Sequence, residues 1–146
     1  MKAINRIKLT IQSLPENIAL ARVSVAAFIA QVDLTVDELE DIKVAVSEAV
    51  SNAIIHGYDQ RSDQWVEIEV ARFSDYYEII VQDYGKGIAD IKQAMEPTYS
   101  THPDRTGLGF VFMQSFMDEV QVVSEVGKGT SVTLRKKLAP DKAAPN

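Results

Sequence analysis

The chain of 146 residues has the length of one folding unit and contains no cysteine, which excludes a disulfide framework, a zinc–thiolate centre and a thiol nucleophile. A net charge of -6 argues against a phosphate-backbone binder, which would carry a basic face, and two histidines without cysteine argue against a dedicated transition-metal site. No signal peptide is recognisable, and the longest low-charge stretch, residues 17–32, contains Arg22 and is too short to span a bilayer. The expectation is a cytoplasmic protein with neither membrane nor direct nucleic-acid contact.

Ile7, Leu9 and Ile11 alternate with polar residues, as in a half-buried strand. Pro15 suits a helix start, and Ile18, Val25, Phe28, Ile29 and Val32 then follow helical spacing. Thr35 and Glu38 form a capping-box pattern for a second helix. Its inner face would carry Leu39, Ile42, Val46, Ala49, Val50 and Ala53, with Gly57 as its stop. Val66, Ile68 and Val70 predict a one-sided strand, Ser74-Asp75 a turn, and Tyr77, Ile79 and Val81 a further strand face. A short helix is expected after Gly87, a loop over 96–106 and a helix over 108–117. Residues 120–124 and 131–135 predict a closing hairpin, and the tail from Ala139, with its prolines and small residues, is expected to be disordered. The pattern predicts one α+β domain over 1–138, a two-layer sandwich with a largely antiparallel mixed sheet and helices on one face.

Four short motifs stand out in this order. Glu48 and Asn52 lie four apart and share a helix face. Phosphoryl transfer needs such a pair: an amide oxygen that can ligate Mg²⁺, and a carboxylate that can orient or deprotonate an attacking hydroxyl. The same pair also suits the exposed side of an ordinary amphipathic helix. Asp83 shares strand parity with Tyr77, Ile79 and Val81, so its carboxylate ends an apolar face and needs a partner there. An adenine amino group is one candidate, and a loop in which Asp83 caps its own backbone is the other. Gly85 and Gly87 would allow close approach to a ligand. Gly107 and Gly109 precede a helix, where backbone amides can hold phosphate or merely hinge a loop. Gly127-Lys128-Gly129 with Thr130 is either a hairpin turn or part of the same site.

Together these motifs resemble the N, G1, G2 and G3 boxes of the GHKL ATPase/kinase superfamily over roughly residues 35–135. The stretches 21–28, 46–58 and 116–120 extend the resemblance to the anti-sigma-factor serine kinases of the sigma-F type, found in spore-forming bacteria. The resemblance implies a Bergerat-type sandwich, a homodimer, and binding of ATP or ADP with Mg²⁺. It also implies two protein partners: a sigma factor of the sigma-F type, held inactive, and an anti-anti-sigma factor phosphorylated on serine. By resemblance, Glu48 is the catalytic base and Asn52 the magnesium ligand. Asp83 is the adenine contact, supported by Thr130, and Gly85, Gly87, Gly107 and Gly109 line the nucleotide and its lid.

The lid, residues 99–106, is shorter than the form typical of this branch, and His102 stands where lysine is expected. Arg105, the one permanent cation there, is the candidate phosphate contact, with a solvated surface arginine as the alternative. His56 is assigned to the backbone groups or dipole at the end of the second helix. Between Glu16 and Asp33 the only charge is Arg22. The face opposite Val25, Phe28, Ile29 and Val32 would then present Ala19, Arg22 and Ala26 as a partner-binding surface anchored by one cation, unless the helix is wedged in the core and Arg22 snorkels out. A stand-alone ATPase or an ATP-gated binding module is the competing function.

Overall fold

Period-two alternation builds the sheet. In the computed structural model, which describes residues 2–96 and 109–139, the strands are Asn5–Gln12 (β1), Trp65–Arg72 (β2), Tyr76–Asp83 (β3), Glu119–Glu125 (β4) and Gly129–Lys137 (β5). They form a five-stranded sheet in the order β1-β2-β3-β5-β4, with all four ladders antiparallel. The β4–β5 hairpin therefore docks through its second strand, and β5 lies beside β3 with Thr130 opposite Asp83.

Val66, Ile68, Val70, Tyr77, Ile79, Val81, Val132 and Leu134 share one buried face of the sheet. The opposite face is polar, as the alternation requires: Arg6 pairs with Glu69, Lys8 with Glu67, and Arg135 with both Glu78 and Glu119. These pairs are partly exposed, so each contributes little beyond keeping that face soluble.

The helices Asn17–Ile29 (α1), Val36–Asn52 (α2), Ile91–Ala94 (α3) and Gly109–Phe116 (α4) complete the α+β layers. Ala21, Val25, Phe28 and Ile29 of α1, Ile42, Val46, Ala49 and Val50 of α2, and Phe110 and Met113 of α4 join the sheet's apolar face in one core. The capping box forms: the Thr35 hydroxyl accepts from the Glu38 N–H at 3.1 Å, and the Glu38 carboxylate accepts from the Thr35 N–H at 3.0 Å. Such a cap contributes about 1 kcal/mol and fixes where α2 starts. The Asp90 side chain caps the short α3 through the Gln93 N–H.

Two features differ from the sequence reading. First, α2 does not run as a plain α-helix to Gly57. It passes into a π-helical turn, Ala53–Gly57, in which the Tyr58 N–H reaches the Ala53 carbonyl at 3.0 Å. Second, Arg22 does not stand on the open face of α1. It is half-buried against α2, its guanidinium 3.5 Å from the Ser47 hydroxyl, and Ala26 is half-buried too. The exposed stripe of α1 is instead Ala19, Leu20, Val23 and Ala27. Arg22 follows Ala21 by one position, so packing Ala21, Val25, Phe28 and Ile29 inward leaves it at the boundary with α2. The expected loop with His102, Arg105 and Gly107, the first residue of the expected helix over 108–117, and the tail from 140 onward lie outside the described residues. Among the described residues, no helix is long and apolar enough to cross a membrane.

Candidate functional site

The end of α2, the π turn, the end of β3, the start of α4 and the start of β5 enclose a cavity of about 290 Å³. One wall is apolar, with Ala53, Val81, Ile88, Phe110 and Val132; the polar side chains are Asn52, His56, Asp83, Lys86, Asp90, Gln93 and Thr130. A few convergent polar groups in an apolar cleft are what a small-molecule site requires.

Asp83 is the deepest of these, at 4 % exposure. Its Oδ1 accepts from the Gly85 N–H at 2.9 Å. Burial pushes its carboxyl above the usual carboxylate range, against the opposing pull of the Gly85 and Thr130 backbone N–H groups. Among the described residues no cation pairs with it: Lys86, which also lines the cavity, holds Asp59 at 3.0 Å. A buried carboxylate with no countercharge still has acceptor capacity directed at the cavity.

Neighbouring glycines make room for that carboxylate. A Cβ on Gly57 would sit 2.8 Å from both Cγ and Oδ2 of Asp83. Thr130 stands opposite Asp83, at 7 % exposure, with its hydroxyl 2.7 Å from Ser124 Oγ. Ser124 Oγ also accepts from the Ile88 N–H at 2.7 Å, which ties the loop after Gly87 to β4. Gly87 borders the cavity, whereas Gly85 lies behind it, backed against the Gly57 carbonyl.

The second polar centre is formed by Glu48, Asn52 and Gly109. A Cβ on Gly109 would lie 3.1 Å from Glu48 Oε2 and 3.2 Å from Asn52 Nδ2, so the two side chains sit together against the first residue of α4. The i, i+4 pairing expected on α2 is thus realised beside a helix start. Among the described residues no group of three or more His, Cys, Asp or Glu could hold a metal ion.

The structure therefore brings Glu48, Asn52, Asp83, Gly87, Gly109 and Thr130 to one cavity or its edge, while Arg22 lies on another element pair. Arg105 and Gly107 are outside the described residues. Sequence reasoning missed Gly57, Tyr58, Lys86 and Ser124 as parts of this region; His56, in the last turn of the helical segment as expected, also lines the cavity.

Residues 11–136 match the family described as histidine kinase-like ATPase domain. An anti-sigma F factor of Clostridium beijerinckii is 51% identical over 136 residues, covering 92% of this chain and 95% of the relative. The chain belongs to the anti-sigma F factor family. A second member, from Geobacillus kaustophilus, is 49% identical over 144 residues, covering 97% of this chain and 99% of that protein. In fold, the chain resembles the solved RsbU and RsbW domains of a Mycobacterium tuberculosis protein, with a TM-score of 0.67 at 18% identity over 96% of this chain and 33% of that one. It also resembles a blue-light activated histidine kinase of Erythrobacter litoralis, with a TM-score of 0.56 at 24% identity over 73% of this chain and 32% of that one. The matched span runs from the end of β1 into β5 and contains every residue that lines the cavity.

Proposed function

We propose that this protein is a cytoplasmic anti-sigma factor of the sigma-F type, which binds an RNA polymerase sigma factor and uses Mg-ATP to phosphorylate an anti-anti-sigma factor on serine. The observation that carries the nucleotide part of the reading is the buried Asp83 carboxylate, unpaired with any cation among the described residues, in an apolar-walled cavity that Asn52 also lines with Glu48 beside it at Gly109. An adenine offers that carboxylate a further N–H donor, beyond the backbone N–H groups that already bond it, on a flat apolar ring. Its ring would lie against Val81, Ile88 and Val132, with Thr130 beside Asp83.

In this reading Asn52 would hold Mg²⁺ through its amide oxygen. The bound ion supplies charge neutralisation at the phosphates. Glu48 accepts the proton of the attacking serine hydroxyl, so the oxygen becomes nucleophilic only when the partner is docked. The apolar wall excludes water, which favours transfer to serine over hydrolysis. Gly107 and Gly109 would let backbone N–H groups meet the phosphates at the start of α4, and Arg105 is the candidate lid cation.

The protein would act as a homodimer, with Arg22 as part of the partner surface. Half-buried at the α1–α2 seam and flanked by exposed Leu20 (53 %) and Val23 (59 %), Arg22 would form the polar edge of an apolar stripe. The test is incubation with labelled ATP, Mg²⁺, a sigma factor and an anti-anti-sigma protein of the same organism. Label on a serine of the anti-anti-sigma protein, with the sigma factor retained by the unreacted complex, supports the reading. Free phosphate without a labelled partner refutes the kinase, and absence of sigma-factor binding refutes the anti-sigma role.

A further inference from the structure

Tyr58 ends the π turn and is buried, at 2 % exposure. Its hydroxyl makes two bonds at once. It donates to the Trp65 carbonyl at 2.6 Å and accepts from the Tyr84 N–H at 2.7 Å. The position of this hydroxyl in the sheet is unusual. The β2–β3 ladder runs to Glu67 opposite Gln82; continuing that register by two residues sets Trp65 opposite Tyr84. The carbonyl of one and the N–H of the other are thus bridged by a side-chain oxygen from outside the sheet. The hydroxyl closes the ladder where β3 turns toward Gly85, one residue beyond Asp83.

The other side of the turn is held from the same segment. The Gly57 carbonyl accepts from the Lys86 N–H at 2.9 Å. Gly57 and Tyr58 therefore bond the backbone at Lys86 and Tyr84, on either side of Gly85, whose own N–H holds Asp83 Oδ1 at 2.9 Å. With Gly57 Cα packed against the carboxyl, the direction of the Asp83 side chain is fixed by residues 57 and 58 rather than by its own strand alone.

We propose that Tyr58 is a positioning residue for the purine: through the Tyr84 N–H, its hydroxyl sets the angle at which the Asp83 carboxylate meets the 6-amino group, and so sets preference for adenine over a purine that lacks that group. The inference rests on the nucleotide reading above. Its structural logic is that a hydrogen bond is directional, and a carboxylate swung off line loses the amino group before it loses the ring's apolar contacts.

The experiment compares calorimetric affinities for ATP and for purine riboside triphosphate, which lacks the 6-amino group, in the wild type and in Tyr58→Phe. The wild type should prefer ATP by on the order of tenfold or more. Tyr58→Phe should bind the analogue within about twofold of wild type and lose most of the preference for ATP. In an Asp83→Ala background the same substitution should cost no further ATP affinity, which a general loss of stability would not reproduce. A folded Tyr58→Phe that keeps the full preference overturns the proposal. A wild type that binds both nucleotides equally refutes Asp83 as the adenine partner, and the positioning role falls with it. Should Tyr58→Phe not fold, hydrogen exchange in the wild type decides: a Tyr84 amide protected to the level of the β3 core supports the bridge, and an unprotected one overturns it.

Discussion

Gly57→Ala is the sharpest test of how the site is built, because it adds a single methyl group at a known place. The new Cβ would lie 2.8 Å from Cγ and Oδ2 and 2.9 Å from Oδ1 of Asp83. Ordinary contact between such atoms is about 3.5 Å, so the carboxyl must retreat by roughly 0.6 Å. The retreat acts on the 2.9 Å bond from the Gly85 N–H, which such a move can carry past the usual limit of about 3.2 Å. It also takes the acceptor out of line with an adenine amino group. A hydrogen bond to a charged acceptor contributes about 1.5–3 kcal/mol, so ATP affinity should fall on the order of tenfold to a hundredfold. Thermal stability should fall much less, since Gly57 has no positive φ and alanine is the better helix former there. Calorimetric titration with ATP, beside thermal denaturation of the nucleotide-free protein, measures both. Wild-type ATP affinity in a folded Gly57→Ala would refute the argument, because the methyl group cannot be accommodated without moving Asp83 or the π turn.

The raised pKa of Asp83 predicts a pH dependence of definite sign. In the nucleotide-free protein the buried carboxyl holds its proton more tightly than in the unfolded chain, so its contribution to stability is present at low pH and is lost as pH rises through the raised folded value. An amino-group donor favours the ionised form, so ATP affinity should decline as pH falls through that value, and Asp83→Asn should flatten the profile in titrations from mildly acidic to neutral pH. Glu48→Gln keeps the shape and removes the base: nucleotide affinity should stay within a few-fold while serine phosphorylation drops by roughly 10²–10⁴, and full kinase activity would remove Glu48 from the chemistry. Asn52→Ala should instead abolish the magnesium-dependent part of ATP binding together with transfer, read by titration with and without the metal. Arg22→Glu should leave ATP binding intact and weaken sigma-factor or anti-anti-sigma binding by roughly 2 kcal/mol or more; unchanged affinity for both partners would assign Arg22 to the α1–α2 seam alone.

Much of this was legible in the sequence because the controlling forces are local. Strand parity alone put Asp83 on the buried face, and the spacing of Thr35 and Glu38 located the start of α2. Glu48 and Asn52 share a side because helical geometry leaves them no choice. What was not legible depends on close approach between distant segments. Gly57 reads as a helix stop, and nothing beside it in the chain announces that the Asp83 carboxyl needs the volume of its missing side chain. The Tyr58 hydroxyl bridges two strands whose register is known only once the sheet is assembled. For Arg22, composition showed a lone charge on α1 and left two orientations open, and the packing of α1 on α2 decided between them by setting it half-buried at the seam.

Trp65 is the one tryptophan in the chain, and the residue is 55 % exposed at the start of β2 while its own carbonyl holds the Tyr58 hydroxyl. The protein thus carries a native fluorophore one hydrogen bond away from the residue that clasps the Asp83 turn. Selective excitation of the indole separates its emission from that of the tyrosines. The Tyr58 oxygen links the turn to the Trp65 backbone beside the bond from the Tyr84 hydroxyl to Glu67, so a displacement of the turn on nucleotide arrival should register in the emission of this indole in a stopped-flow instrument without any dye, and Tyr58→Phe should weaken that signal.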